Sequence, residues 1–295
     1  ADASPAVVDG SEGDMDICSM FKDKYESLYS SVSYSEVDMQ NLVTDVSDRV
    51  AMSCCAGHCY CSHDIVVGDV RAAVRKLKAG KSDSNNMLLS DHFLNACDEL
   101  YVHLTFLLNI LFKRSCAPKD MLVSILVPIP KNRKKSLSSS NNFRSIALSS
   151  IIGKILDNII LSNHAHILST SPSQFGFKPK HSTTQCTYVL HEIVNYYNSR
   201  NTPVFVSLLD ASRAFDRVHF VKMFNLLVQK GMCPALVKFL ICMYTQQTLI
   251  VRWNNTCSLS DHFECNNGIK QGGVLSPVLF CVYMDELLAR LKMSR

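Results

Sequence analysis

Residues 203–218 read PVFVSLLDASRAFDRV, a mostly apolar run, with Ser207 within it, that reaches a carboxylate at Asp210. A short run of this kind predicts a buried strand. A carboxylate at the C-terminal end of such a strand sits at the rim of a sheet, where polar groups face a cleft. Asp210 is then placed to hold a hard cation such as Mg2+, which takes a few carboxylate oxygens plus substrate phosphates. A second reading leaves Asp210 only as the cap of the helix that follows. Phe215 stands close by as a wall, and Asp216 falls in the turn after it.

Reading outward from this segment, elements of both kinds alternate. Upstream, QFGFKPKHSTTQCTYVLHEIVNYYNSR (174–200) predicts a turn and then a helix with Val189, Ile193 and Tyr196 or Tyr197 on its apolar face. Before it, MLVSILVPIP (121–130) predicts a strand that delivers Lys131 into the basic loop KNRKKSLSSSNN (131–142). FRSIALSSIIGKIL (143–156) then passes from extended to helical. Helices are expected at 65–77, closed by Gly80, and at 91–112. The first sixteen residues, rich in Ala, Asp, Gly and Ser, read as a disordered lead-in. Helical spacing follows at 17–43 and near 37–50, with no chemistry in either segment. Downstream of Asp216 come a helix through Leu227 stopped by Gly231, a helix opened by Pro234, and a hairpin of TLIVRW (248–253) with DHFEC (261–265). GIKQGGVLSPVLF (268–280) leads into a last helix starting near Ser276 and Pro277. Within it Gln271 supplies both a donor and an acceptor, and Gly272 and Gly273 let another backbone or a nucleotide approach closely. The fold class is α+β, mixed helices with a small antiparallel sheet.

The composition is that of a globular chain, with 47% hydrophobic and 19% charged residues among 295, which excludes collagen-like, low-complexity and wholly disordered polymers. No apolar run reaches the ~18 residues of a membrane span. The longest, 101–112 and 274–288, are interrupted by His103, Pro277, Asp285 and Glu286. The opening residues show no secretory pattern, so an intracellular, soluble protein without a membrane partner is expected. Its thirteen cysteines then read mostly as reduced thiols. Cys54, Cys55, His58, Cys59, Cys61 and His63 crowd into CCAGHCYCSH, but adjacent and alternate cysteines converge poorly on one tetrahedron. The choice there is between zinc and a thiol-rich linker.

The net charge of +4 conceals an asymmetry. Residues 1–50 hold eleven acids and three bases, net −8, which leaves +12 for the remainder. From Lys113 to Lys154 nine bases face a single acid, Asp120, as a polyanion-binding surface would require.

Taken in order, VPIPK, FRSIALSS, QFGFKPKHST, DASRAFD and GIKQGGVLSP resemble the reverse transcriptases of non-LTR, LINE-type retrotransposons over about residues 65–295. The resemblance implies a right-hand polymerase, of which 1–64 would be an acidic connector, 65–200 a fingers-like region and 201–295 an incomplete palm. It further implies that Lys131 and Arg144 grip an incoming dNTP, and that Asp210 with the Ala211 carbonyl binds Mg2+. Phe215 becomes the gate against a ribose 2'-hydroxyl, and Gln271 and Gly272 lie against the nucleotide and template base. Partners would be an RNA template and a DNA primer, with phosphoryl transfer by two Mg2+ ions. The family takes its remaining carboxylates from an Ala-Asp-Asp hairpin after the glutamine-glycine helix, and residues 1–295 hold no such tetrapeptide. Tyr283-Met284-Asp285-Glu286 imitates it, but stands in helical spacing. The expectation is a fragment inactive alone. Two alternatives stand beside it: a noncatalytic nucleic-acid-binding remnant, and an unrelated Mg2+ hydrolase built on Asp210 and Asp216.

Overall fold

The structure is a computed structural model and describes residues 5–54, 64–83, 88–254 and 258–293. The Cys54 to His63 cluster lies outside the described side chains. The chain opens with a hairpin of β1 (Val7–Val8) and β2 (Ser11–Glu12), turned by Asp9 and Gly10, which both take positive φ. An Asp-Gly pair is suited to that turn. Val8 is fully buried, and Asp9 receives the Ser140 N–H at 3.1 Å, so this part of the expected disordered lead-in is ordered against the basic loop.

Helices α1 (Asp14–Tyr29) and α2 (Glu36–Arg49) follow. Their apolar residues belong to the main core rather than to a separate connector: Phe21 and Tyr29 of α1 are fully buried, and Phe21 stacks on Trp253 at 5.1 Å. Then come α3 (Val67–Val74), α4 (Ser90–Leu94), α5 (Asp98–Arg114) and α6 (Lys119–Leu122). The single helix expected over 91–112 is thus broken, with α5 restarting after Cys97.

Strands β3 (Val123–Pro130) and β4 (Phe143–Leu148) form the hairpin that carries the basic loop at its tip, with Ile129 opposite Arg144. Helix α7 (Ile151–Asn163) is capped by Ser150 and buries Ile151, Ile155 and Ile159. Next are α8 (Thr183–Asn198), α9 (Phe220–Gln229) and α10 (Pro234–Thr245). The chain closes with β5 (Thr248–Val251), β6 (Phe263–Glu264) and α11 (Ser276–Met293). The sheet order is β4-β3-β5-β6, and β3 pairs with β5 in parallel, so the sheet is mixed and not antiparallel throughout.

The segment 203–210 departs furthest from expectation. It is assigned to no strand, and Phe205, Leu208 and Leu209 are 94%, 86% and 89% exposed. The reason is positional. Residues 203–210 pair with neither edge strand of the sheet, β4 or β6, and a strand is buried only where neighbours take its backbone hydrogen bonds and cover its faces. Helix α8 shares this exposure: none of its residues is buried, including Val189, Ile193, Tyr196 and Tyr197. Among the described residues no helix is long and apolar enough to cross a membrane.

Candidate nucleotide site

The β3-β4 hairpin sets two cations side by side. Lys131 follows the last residue of β3, and its N–H donates to the Asn142 carbonyl at 2.6 Å. Arg144 is the second residue of β4. The loop between them is held by the buried Asn142, whose side-chain N–H groups donate to Asn132 O and Ser136 O. KNRKKSLSSSNN is therefore a shaped loop.

The Gln271 loop packs directly on β4. Gln271 O accepts from Ala147 N at 2.7 Å. Gly272 has φ +111°, and a Cβ there would stand 2.9 Å from the Ala147 carbonyl. A glycine is required because a backbone, not a ligand, approaches it.

Below the loop lies Asp216, 4% exposed. Gln271 Nε2 donates to its two oxygens at 3.3 and 3.2 Å, and the Tyr29 hydroxyl donates at 3.1 Å. Burial pushes the Asp216 carboxyl up, opposed by these two hydrogen bonds and by Arg213 and Lys131 nearby. Asn267, fully buried, donates to Asp216 O at 2.6 Å and accepts from Val32 N at 3.0 Å. Gly268 has φ +89°, and a Cβ there would meet Asp216 O at 2.6 Å. Asp216 is thus the junction of α1, the segment after Asp210, and the Gln271 loop. Phe215 stacks on Phe280 with ring centroids 4.6 Å apart and meets Phe177 edge-on at 5.6 Å.

These pieces enclose a cavity of about 480 Å³ whose lining includes Lys131, Arg144, Ala211, Phe215, Gln271 and Gly272. Six of the seven site residues named from sequence come together there. Asp210, the seventh, is exposed and does not line the cavity. The lining also includes residues that sequence reasoning missed: Arg213, Phe177 and, from α1, Lys24, Tyr25 and Leu28. The helical spacing of α1 was visible, but nothing in it announces which cavity a helix 100 residues distant will wall. Asp285 and Glu286 lie in α11, where Asp285 accepts from Ser171 N at 2.9 Å and Glu286 pairs with Lys222 at 2.9 Å, so the imitation tetrapeptide is helical.

Against this geometry, residues 129–294 match the family described as "Reverse transcriptase (RNA-dependent DNA polymerase)". The chain belongs to the reverse transcriptases of non-LTR retrotransposons. It is 24% identical to the Pol polyprotein of the type-2 retrotransposable element R2DM of Drosophila melanogaster over 185 residues, 63% of this chain and 17% of that protein. Similarity to the probable RNA-directed DNA polymerase of the Drosophila melanogaster X-element is 28% over 196 residues, 64% of this chain and 20% of the relative. The R2 Pol polyprotein of Popillia japonica is 25% identical over 164 residues, 56% of this chain and 23% of its own length. The chain therefore spans about a fifth of the length of these relatives. Among its described residues no three His, Cys, Asp or Glu side chains converge as a metal site. A hard cation such as Mg2+ takes a few carboxylate oxygens plus phosphates, and the donors that would hold one here are the Asp210 carboxylate, which stands outside the cavity lining, and the adjoining Ala211 carbonyl.

Proposed function

We propose that this domain serves RNA-directed DNA synthesis, with its cavity as the site of the incoming dNTP, RNA as template and DNA as primer. The observation that carries the reading is the convergence of Lys131, Arg144, Ala211, Phe215, Gln271 and Gly272 on one cavity. Lys131 and Arg144 supply charge to a triphosphate, and Arg144 can do so with two parallel donors. The Phe215 ring, fixed between Phe177 and Phe280, presents a rigid wall to the sugar and disfavours a 2'-hydroxyl. Gln271, held by Asp216, offers its remaining amide capacity to the nucleotide or template base. A Mg2+ ion bound by Asp210 and Ala211 would supply charge neutralisation at the phosphates. On this reading 65–200 act as fingers and 201–295 as part of the palm, inside the cell.

The same reading accounts for the uncovered strand-like segment. A sheet formed with the hairpin that the family places after the glutamine-glycine helix would cover 203–209 and bring further carboxylates to Asp210. Residues 1–295 assayed alone should then bind a dNTP and not extend a primer. With a primed RNA template, dNTPs and Mg2+, no extension is expected; extension abolished by Asp210→Ala would overturn the inactivity. dATP should bind more tightly than ATP, with the difference shrinking in Phe215→Ala. Equal binding of the two in the unaltered chain would refute the gate. The second reading, a nucleic-acid-binding remnant, is favoured by the basic loop alone and predicts RNA binding without dNTP binding.

A further inference from the structure

We propose that α1, which lies outside the residues matching the family, supplies two phosphate-binding donors to the nucleotide cavity: the Lys24 ammonium and the Tyr25 hydroxyl. The inference rests on the dNTP reading of that cavity and extends it to a helix whose sequence carried no assigned chemistry.

Both side chains line the cavity, and both project from a helix anchored on either side by buried Phe21 and Tyr29. Lys24 Nζ donates to Ser140 Oγ and, at 3.1 Å, to Asn141 Oδ1, which orients it toward the tip of the β3-β4 hairpin beside Lys131. Among the described residues neither Lys24, Lys131, Arg144 nor Arg213 is ion-paired with a carboxylate. Four cations thus share one cavity whose lining holds a single carboxylate, the buried Asp216. Burial holds the Lys24 ammonium below the usual lysine range, and Arg213 adds to the effect. A polyanion entering the cavity relieves that repulsion.

Tyr25 gives the independent observation. It is 3% exposed, and its hydroxyl has no hydrogen-bond partner among the described residues, although a buried phenol ordinarily finds one. The hydroxyl oxygen is closed to solvent, so its donor proton meets an acceptor only where the cavity wall yields to an entering ligand. Phosphate oxygens are acceptors only, and they suit a site walled by cations.

The test is equilibrium binding of dATP in MgCl2 and of deoxyadenosine, with thermal melting of each variant. Tyr25→Phe keeps the ring and removes an unpartnered hydroxyl, so its Tm should be equal to or above that of the unaltered chain, while its dATP affinity falls about 5-fold. Lys24→Met should weaken dATP about 10-fold and leave deoxyadenosine unchanged. Equal losses for both ligands in Lys24→Met would make Lys24 a loop tether and overturn its assignment. Unchanged dATP affinity in both variants, with Lys131→Ala weakened, overturns this inference alone. Absence of dATP binding, or no effect of Lys131→Ala, overturns the underlying site reading.

Discussion

At the scale of single residues, Asp216 organises the site by satisfying others rather than by facing solvent. Asp216→Ala leaves the Tyr29 hydroxyl and the Gln271 amide buried without their acceptor, and a loss of about 2–4 kcal/mol in urea unfolding is expected. Its AFD context showed a turn, but the two partners that give it meaning lie 187 and 55 residues away. Gly268 is a second such residue, legible as a glycine and illegible as the point where Asp216 O approaches. Asp157 yields a pH prediction. Burial pushes its carboxyl up to about 6, partly opposed by the Leu275 N–H and Lys270. An unfolded Asp titrates near ~3.9. Because the folded value is the higher one, its contribution to stability is complete below about pH 4 and lost as pH rises through about 6. Asp157→Asn keeps an acceptor for Leu275 N and removes this dependence. The stability of the variant relative to the unaltered chain should rise by about 2 kcal/mol between pH 4 and pH 7, measured by urea unfolding at each pH.

At the scale of elements, local chemistry was read where the determinant is local. Pro234 opens α10, Gly231 ends the α9 region at φ +81°, and Ser182 and Gln185 cap α8 reciprocally at 3.2 and 3.0 Å. The Asp9-Gly10 turn carried an equally local signal within a segment whose composition suggested disorder. The failures concern burial. Apolar residues in 203–209 and along α8 predict an interior surface, yet whether such a surface is covered depends on what packs against it. The consequence is measurable: Leu208→Ser combined with Leu209→Ser should alter unfolding free energy by less than about 0.5 kcal/mol, whereas Leu227→Ala, fully buried in α9, should cost about 2–5 kcal/mol. A large loss from the double change would show that these leucines are covered in solution.

At the scale of the molecule, the acidic N-terminal stretch and the basic body form one core. Phe21 and Tyr29 are integral to it, and Asp9 is hydrogen-bonded to the basic loop. Deleting residues 1–30 should therefore lower Tm by more than about 5 °C or abolish cooperative melting, since several fully buried side chains are lost. RNA affinity should fall steeply between low and high salt through counterion release, and neutralising Lys134 and Lys135 should flatten that slope; a salt-independent affinity would exclude the basic loop as the contact.

Legible in the residues alone were the helices with local caps and breakers, the charge asymmetry, and the motif order of six residues that line the cavity. Those features depend on neighbours a few positions apart or on patterns that survive without three dimensions. Packing in three dimensions set the rest: Asp216 links three segments, α1 walls the cavity, β3 and β5 run parallel, and 203–210 stands uncovered. Each of these depends on which surfaces meet, and burial, hydrogen-bond satisfaction and sheet pairing are properties of pairs of surfaces rather than of any one stretch of chain.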